Sequence, residues 1–288
     1  MSEVETSAPL PIARSVAPLR QQVRAWRDAG LRVGFVATMG ALHEGHLGLV
    51  RDALIRADRV VASVFVNPTQ FAPHEDLDSY PRQEARDAEL LADAGCHLLF
   101  APTAAVMYPE GFATRVEVGE PAAGLEADFR PHFFGGVAVV VVKLLNQVRA
   151  DVALFGEKDY QQLLVVRRLA RDLDIPTEII CSPTVRDAHG LALSSRNAYL
   201  SAEELDVARR LNIVLRQAGE AARVGSVAAA ELEAVHALEA AGFNPVDYVA
   251  IRRAEDLATF DEDRIDAPAR ILAAAWLGRT RLIDNLAV

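Results

Sequence analysis

The sequence has few cysteines and no long apolar run. Of its 288 residues only Cys96 and Cys181 are cysteines, which allows one disulfide at most and favours a reducing compartment. The most apolar stretch, residues 137–142, ends at Lys143 and is far shorter than the ~20 residues of a membrane-spanning helix. The first residues after Met1 lack the basic and apolar regions of a signal peptide, so we expect a cytoplasmic protein.

Positive charge is also scarce. The chain has 30 Lys and Arg against 40 Asp and Glu, a formal net charge of -10. Proteins that bind nucleic acid ordinarily carry a basic surface, so no nucleic-acid partner is expected. This negative net charge still allows the protein to bind one anionic small molecule in a locally basic pocket. The length exceeds the usual domain of about 100–150 residues, which predicts two domains.

The first part of the chain alternates short apolar strands with helices. Residues before about 19 show no periodic pattern and are expected to form a loose arm. We expect strands near 32–37, 59–66, 97–101, 114–118, 152–155 and 177–181, and helices near 21–29, 46–57, 81–94, 136–148 and 158–172. This alternation predicts a Rossmann-like, doubly wound parallel sheet.

The pattern changes near residue 183, where strand–helix alternation stops. Helices are expected at 202–219 and 227–241, followed by strands at 246–252, 270–275 and 280–287. Helices followed by strands indicate a smaller α+β domain. We therefore divide the chain into residues 1–184, binding the nucleotide and a second substrate, and residues 185–288, a C-terminal lid.

The common nucleotide-binding fingerprints are missing. No G-x-G-x-x-G follows any expected strand. Gly40 and Gly45 have the spacing of a P-loop, but His46 and Leu47 replace the Lys and Ser/Thr of that motif. Ligands of doubly wound sheets nevertheless bind beyond the carboxyl ends of the strands, which makes this turn the first place to examine.

A His-x-Gly-His sequence stands at this junction. His43 and His46 lie on one side of the first helical turn, where unpaired N–H groups attract phosphate. Gly45 lets a ring or ribose approach the backbone. The imidazoles would donate to phosphate oxygens as charge develops on an attacked α-phosphate, and a neighbouring phosphate favours a protonated ring. A core histidine pair or two zinc ligands are the alternatives, but no third zinc ligand has standard spacing.

Further polar groups follow other strands or occupy turns. The Gln70 amide can donate to and accept from a hydroxy acid, and it also suits a surface loop. Lys158 stands beside a glycine turn and a helix start, where it suits phosphate or a solvated cap. Residues 194–196 offer hydroxyls and a guanidinium for phosphate, or form a routine turn. Arg130 is expected on a flexible flap or in a structural turn.

Together these segments resemble one family. Residues 39–46 are similar to the HIGH-type signature of the adenylate-forming nucleotidyltransferase superfamily. Within it, the chain resembles the pantoate–β-alanine ligases (pantothenate synthetases) over almost its whole length. The segments that carry the resemblance are VATMGALHEGHLGLV, SVFVNPTQF, DLDSYPR, RPHFFGGV, LFGEKDYQQL and LSSRNAYLS. A single HxGH is moderately specific, whereas the set in this order is very specific.

The resemblance implies roles for individual residues. His46 would be the proton donor, with His43 and Lys158 as further catalytic residues. Gln70 and Gln162 would bind pantoate, and Gln70 would also bind β-alanine. The residues implied to bind ATP are Met39, Gly40, Ala41, Leu42, His43, Glu44, Gly45, His46, Gly156, Glu157, Lys158, Asp159, Val185, Leu193, Ser194, Ser195 and Arg196.

The implied reaction is an ATP- and Mg²⁺-dependent ligation in two steps. The carboxylate of pantoate attacks the α-phosphate of ATP, giving pantoyl adenylate and pyrophosphate. The amine of β-alanine then attacks the acyl carbon and releases AMP and pantothenate. The family also implies a homodimer, and no membrane partner is expected.

Three other functions share parts of this pattern. A nucleotidyltransferase that moves AMP onto a phosphate would not require an amine. A class I aminoacyl-tRNA synthetase shares the HIGH-type chemistry, but an acidic chain of 288 residues lacks a basic tRNA-binding appendage. A non-catalytic ATP-binding regulatory module would bind nucleotide without releasing pyrophosphate.

The chain departs from the family pattern at a few positions. Ala37 stands where the family usually has proline, and Leu193 where it usually has methionine; both keep a small or apolar character. An acidic pair often follows the Tyr-Pro-Arg of the family, and here it is replaced by Arg86 and Asp87. The sequence therefore assigns no protein ligand to Mg²⁺.

Overall fold

The chain divides into two units in its computed structural model, which describes residues 9–71, 77 and 80–288. The first unit is formed by Met1–Glu117, His132–Phe155 and Val166–Ser182, and the second by Val118–Pro131, Gly156–Val165 and Pro183–Val288. Two short earlier segments thus group with the C-terminal part. Strand and helix patterning does not reveal such segments, because their assignment depends on tertiary packing.

A parallel sheet of six strands forms the centre of the first unit. Its strands are β1 (Ile12–Ala13), β2 (Val33–Thr38), β3 (Arg59–Val64), β4 (Leu98–Phe100), β5 (Val152–Gly156) and β6 (Glu178–Ser182). Their order is β1-β4-β3-β2-β5-β6. β2 runs parallel to both β3 and β5, with Val36 opposite Ala62 and Leu154. The expected doubly wound parallel sheet is confirmed.

The strand order reverses between β2 and β5. In sheets of this kind the crevice at the carboxyl ends of the two strands flanking the reversal is the usual ligand site. β2 and β3 are almost continuously buried, as expected of strands that helices cover on both faces. The His-x-Gly-His turn directly follows β2 and is therefore at this edge.

Helices surround the strands in the chain order expected of such a sheet. In the first unit they are α1 (Val16–Asp28), α2 (Glu44–Arg56), α3 (Glu84–Asp93), α4 (Ala104–Met107) and α6 (Phe133–Val148). α5 (Glu126–Phe129) belongs to the second unit, and α7 (Tyr160–Asp172) begins in the second unit and continues into the first. α6 is apolar almost throughout and most of its residues are buried. Among the described residues, none of the helices combines the length and the apolar character needed to cross a membrane.

Helices and an antiparallel sheet make up most of the second unit. The helices are α8 (Ala202–Ala208), α9 (Arg210–Val224) and α10 (Val227–Ala241), and the strands are β7 (Val246–Arg253), β8 (Ala269–Leu277) and β9 (Thr280–Ala287). β8 lies between β7 and β9 and pairs antiparallel with both. One face of α9 is buried in the core of this unit through Leu211, Val214, Leu215, Ala218 and Ala222.

Several local predictions were wrong. Residues 12–19 form β1 and the start of α1 rather than a loose arm, because Leu19 and Val23 give the helix a buried face and Pro18 is tolerated in its first turn. The helix expected at 21–29 is present and begins earlier, at Val16. Residues 114–118 form no strand. The helix expected at 202–219 is divided at Arg209 into α8 and α9. The short helices α4 and α5 were not anticipated.

Candidate active site

The turn after β2 adopts a conformation that favours glycine at its start. Gly40 has φ +84° and Ala41 has φ +51°, both in the left-handed region. The side-chain oxygen of Thr38 accepts a hydrogen bond from Gly40 N at 3.2 Å and its hydroxyl donates to Ser63 O at 2.7 Å. The turn is thereby tied to β3 just before the histidines.

His43 and His46 cap the N-terminus of α2 reciprocally. His43 Nδ1 accepts from Gly45 N at 3.1 Å, and His46 Nδ1 accepts from His43 N at 3.4 Å. The two rings lie 4.1 Å apart between centroids and are tilted by 39°. Because Nδ1 of each ring accepts from a backbone N–H, the ring N–H that can face a ligand is the one on Nε2. The expected juxtaposition of the two imidazoles is present, and both are partly buried.

Asp87 binds the main chain of this turn through both of its carboxylate oxygens. Its Oδ1 accepts from Leu42 N at 2.9 Å and its Oδ2 from Ala41 N at 3.1 Å. The residue is 2% exposed. Sequence reasoning considered Asp87 in connection with Mg²⁺ and missed this contact. One signal was present, since Asp87 lies four positions before the buried Leu91 and so on the buried face of α3.

The remaining predicted residues of this turn lie beside the histidines. Met39, Leu42 and Gly45 are partly buried, whereas Glu44 is exposed and forms an ion pair with Arg51.

Gln70 lies in a short 3₁₀ turn that follows β3 and is organised by Asn67. Asn67 Nδ2 donates to Gln70 Oε1 at 2.8 Å and to Gly136 O at 3.2 Å. Its Oδ1 accepts from the Tyr108 hydroxyl at 2.7 Å. Burial raises the pKa of Tyr108, which keeps that hydroxyl protonated and donating. Asn67 is buried, with 1% of its surface exposed, and its hydrogen bond orients the Gln70 amide. The sequence did not suggest this role.

Helix α6 passes very close to this turn. A Cβ added at Gly136 would lie 2.2 Å from Thr69 O and 2.9 Å from Gln70 N, whereas one added at Gly135 would meet nothing nearer than 3.8 Å. Real side chains do not occur at the shorter of these distances, so Gly136 permits the close approach of helix and turn. The backbone of α6 therefore helps to set the position of Gln70.

In the second unit, the turn 156–159 is fastened to the C-terminal sheet. Asn285 Nδ2 donates to Glu157 O at 3.0 Å and to Lys158 O at 2.7 Å. Arg270 donates to Glu157 Oε1 at 2.8 Å, and its guanidinium lies 4.0 Å from the centre of the Tyr160 ring. Lys158 itself is partly buried, with Nζ 3.7 Å from Asp159 Oδ1. The turn that carries Lys158 is thus held in place by residues from β8 and β9.

The adjacent glutamines at the start of α7 differ in environment. Gln161 is buried, with Nε2 donating at 3.2 Å to the carbonyls of Pro121, Ala123 and Gly124. Its Oε1 accepts from Glu126 N at 3.1 Å. Gln162 is partly exposed. Gln161 therefore stabilises the neighbouring loop, and the substrate contact expected of Gln162 stays a prediction.

Val185 and Leu193 are brought together across a hairpin. Leu193 N donates to Val185 O at 2.9 Å, and Arg186 and Ala192 form the adjacent antiparallel bridge. A 3₁₀ helix, Ser195–Tyr199, follows directly, and the Ser194 side chain accepts from Arg196 N at 3.3 Å to cap it. These predicted residues thus form one continuous feature of the second unit.

Arg130 is anchored in an ion-pair network in the second unit. Glu126 is buried and accepts from Arg130 at 3.2 Å and from Arg281 at 2.7 Å. Arg281 also donates to Asp247 at 2.6 Å. Burial, together with the adjacent charge of Glu126, raises the pKa of Tyr248. In this conformation Arg130 is held by Glu126, and the expected flap stays a prediction.

The described residues form no protein cage for Mg²⁺. Within the described ranges, no cluster of three or more His, Cys, Asp or Glu side chains is arranged to hold a metal ion. Both oxygens of Asp87 accept from the main chain. The segment DLDSYPR lies partly outside the described residues, at 76, 78 and 79.

Known proteins of one family match almost the whole chain. The profile of the Pantoate-beta-alanine ligase family matches residues 11–287. A pantothenate synthetase from Mesorhizobium japonicum is 61% identical over 278 residues, covering 96% of this chain and 97% of that protein. A crystal structure of pantothenate synthetase from Thermus thermophilus has a TM-score of 0.88 and 49% identity, covering 96% of this chain and 99% of that one.

A further solved structure includes ligands. Pantoate-beta-alanine ligase from Francisella tularensis, complexed with beta-gamma ATP and beta-alanine, has a TM-score of 0.79 and 34% identity, covering 96% of this chain and 97% of that one. Both the fold and the family expected from the sequence motifs are confirmed. The match extends over nearly the whole chain, and the chain belongs to the pantoate–β-alanine ligase family.

Proposed function

We propose that this chain condenses (R)-pantoate with β-alanine at the expense of ATP. In the first step a carboxylate oxygen of pantoate bonds to the α-phosphorus and pyrophosphate leaves. In the second step the amine of β-alanine bonds to the acyl carbon, AMP leaves, and the amine loses a proton. The observation that carries this proposal is the reciprocal capping of His43 and His46 at the sheet edge where strand order reverses.

The histidine pair suits the adenylation step. With both Nδ1 atoms accepting from backbone N–H groups, the rings present Nε2–H as their donor. Donors fixed before the reaction stabilise charge that develops on phosphate oxygens without having to reorganise. We assign His46 as the proton donor in a hydrogen bond from Nε2–H to the α-phosphate, and His43 as its partner in stabilising that group. The ring keeps its proton, because attack of a carboxylate on phosphorus with loss of pyrophosphate requires no proton transfer. The start of α2 adds backbone N–H groups to the same region.

In the second unit we assign Lys158 to the phosphates of ATP and Asp159 to its ribose. The tether from Asn285 to the Lys158 carbonyl supports this assignment, because it fixes the main chain from which the ammonium projects. Val185 and the segment 193–196 complete the proposed nucleotide contacts. Their hairpin and capped 3₁₀ turn present hydroxyl and guanidinium groups from a rigid frame.

Gln70 and Gln162 are the proposed contacts to pantoate, with Gln70 also at β-alanine. Asn67 fixes the Gln70 amide by donating to its oxygen. An amide held in this way can donate from its nitrogen to a hydroxyl or carboxylate of the acid. A preset orientation reduces the entropy lost when the substrate binds.

Mg²⁺ enters this proposal with ATP. Because the described residues form no metal-binding cluster, the phosphates of ATP and water would supply its ligands, in keeping with the way Mg²⁺ commonly binds. When bound, the ion would neutralise phosphate charge. No role of the chain's own residues depends on a direct bond to it.

A homodimer and a cytoplasmic location complete the proposal. Cys96 is a buried free thiol, which is in keeping with a reducing compartment. Sedimentation of the purified chain at several concentrations would test the dimer: a single species with twice the mass of the 31.2 kDa chain is expected.

Exchange of labelled pyrophosphate into ATP tests the proposed function. We expect exchange that requires pantoate and Mg²⁺ and proceeds without β-alanine, and we expect AMP to form when β-alanine is added. If the protein is folded and binds ATP but exchange does not depend on pantoate, the assignment of pantoate as the acid substrate is wrong. Nucleotide binding with no exchange for any acid would leave a regulatory ATP-binding module.

A further inference from the structure

We propose that Asp87 is a positioning residue for adenylation, acting through the turn that carries His43 and His46. The inference rests on the proposed function of that histidine pair. Asp87 is 2% exposed, and its carboxylate acts on the main chain of the turn rather than on a substrate. Both of its oxygens accept hydrogen bonds from consecutive residues immediately before His43.

The turn needs an external anchor because of its backbone conformation. Gly40 and Ala41 both have positive φ, at +84° and +51°. A residue with a Cβ is strained in this region, so Ala41 persists there only if neighbouring groups determine its conformation. Hydrogen bonds from Ala41 N and Leu42 N to an ionised carboxylate are of the stronger, charge-assisted kind. Asp87 supplies them from α3, outside the turn.

The fit between Asp87 and the turn is close. A Cβ added at Gly40 would lie 2.9 Å from Asp87 Oδ2 and 3.1 Å from Val64 Cγ1. The carboxylate therefore occupies the space left by the missing side chain of Gly40. A side chain at Gly40 must therefore displace the Asp87 carboxylate or shift the turn, because these distances leave no room for a Cβ.

Displacement of the turn would reach the histidines through the chain. Leu42 N, bound by Asp87, directly precedes His43, whose N–H donates to His46 Nδ1. His43 Nδ1 in turn accepts from Gly45 N. The reciprocal cap thus begins one residue after the anchored N–H. Loss of the carboxylate would leave Ala41 N and Leu42 N without their acceptor and shift the start of this cap.

The test uses Asp87→Asn in the full chain, with Asp93→Asn as a matched control. Asp93 is exposed at the end of the same helix. The asparagine keeps the size of the side chain but turns an NH₂ group toward one of the two backbone donors. We expect pantoate-dependent pyrophosphate exchange to fall at least about tenfold for Asp87→Asn, and to stay within about twofold for the exposed control.

A double-mutant cycle with His46→Ala separates positioning from general destabilisation. If Asp87 acts through the histidines, Asp87→Asn should lower the exchange rate by less than about twofold in the His46→Ala background, because the effects of coupled residues are non-additive. An equal fold loss in both backgrounds would overturn the proposal. So would an unchanged exchange rate for Asp87→Asn in a wild-type background.

A second variant covers the case in which Asp87→Asn fails to fold. Gly40→Ala places a Cβ against the Asp87 carboxylate. Its effect on exchange should show the same non-additivity with His46→Ala. Full additivity for Gly40→Ala would contradict the inference. Exchange by the unsubstituted chain is measured alongside: its absence would refute the proposed function, whereas its presence with an unaffected Asp87→Asn variant would refute the role of Asp87 alone.

Discussion

The side-chain amide of Asn285 donates to the main-chain carbonyl of Lys158 at 2.7 Å, across 127 positions of sequence. The same Nδ2 donates to Glu157 O at 3.0 Å. Asn285 is buried on β9, so two carbonyls of a proposed phosphate-binding turn depend on one strand residue. The C-terminal sheet therefore positions the lysine to which we assign the phosphates of ATP.

Asn285→Ala should weaken the use of ATP. The turn 156–159 loses both tethers, so we expect kcat/KM for ATP to fall at least about tenfold through misplacement of Lys158. Leaving two partly buried carbonyls without a donor should also lower the free energy of unfolding by about 1–3 kcal/mol. Steady-state kinetics and denaturant unfolding measure the two effects.

Asn146→Ala is the matched control for that experiment. Asn146 is exposed on α6, where its Nδ2 donates to Val142 O at 2.9 Å. The same substitution there should leave kcat/KM for ATP within about twofold. An Asn285→Ala enzyme that is less stable but equally efficient with ATP would show that the tether serves folding alone.

His46 combines a capping role with its proposed chemical role, and two substitutions separate them. His46→Ala removes both the ring and the cap, so we expect pyrophosphate exchange to fall at least about a hundredfold, to a residual rate that can still be measured, together with a loss of about 0.5–2 kcal/mol of stability. Glutamine at this third helical position can accept from the N-cap N–H, as in an ordinary capping box. His46→Gln should therefore recover most of the stability without recovering adenylation.

Pyrophosphate exchange and thermal unfolding of both variants give the readout. Recovery of exchange by His46→Gln to near the wild-type rate would mean that the ring serves as a cap and not as the proton donor.

Alanine substitutions at Gly136 and Gly135 compare two adjacent positions of α6, of which only Gly136 lies close to the Gln70 turn. Gly136→Ala would place a Cβ 2.2 Å from Thr69 O, while Gly135→Ala meets nothing nearer than 3.8 Å. We expect the first to separate α6 from the Gln70 turn, raise KM for pantoate and destabilise the fold by about 1–3 kcal/mol, the usual cost of overpacking. The second should be close to neutral. Equal KM values for pantoate in the two variants would contradict the assigned position of Gln70.

His97 should make the folded state sensitive to mild acid. Burial, with repulsion from Arg59, lowers the pKa of His97 below its ordinary value of 6.5. The unfolded chain then binds a proton more readily than the folded one, so stability is lost as pH falls from about 6.5 through the folded-state value. The ring accepts from Val60 N at 3.1 Å through Nδ1.

Denaturant unfolding at about pH 7.5 and pH 5.5 tests this for the wild-type chain and for His97→Phe. The variant loses the acceptor for Val60 N and should be less stable at the higher pH, but it has no ring to protonate. We expect its stability to change less on acidification. An equal loss in the two proteins would assign the acid sensitivity to other groups.

Local sequence signals predicted much of the fold. The helix expected at 227–241 is present as Val227–Ala241, because Ser226 caps its start and Gly242 ends it with φ +111°. The strand expected at 280–287 has the same bounds. Such boundaries depend on neighbouring residues and turn chemistry, which are visible in a single sequence.

The contacts that organise the site depend instead on residues far apart in the chain. Asp87 reaches Leu42 across 45 positions, and Asn67 reaches Gly136 across 69. No periodicity or motif encodes such partners, since each side chain taken alone suits a helix face or a turn. The sequence thus predicted the histidines and Gln70 but not the residues that hold them.

The fate of the pantoate oxygens tests the central claim most directly. With both carboxylate oxygens of pantoate labelled with ¹⁸O, the complete reaction with ATP and β-alanine should give AMP that carries one labelled oxygen, while the other stays in the amide of the product. This outcome requires a bond between the carboxylate and the α-phosphorus. Unlabelled AMP, or label in inorganic phosphate together with ADP, would contradict the acyl-adenylate mechanism.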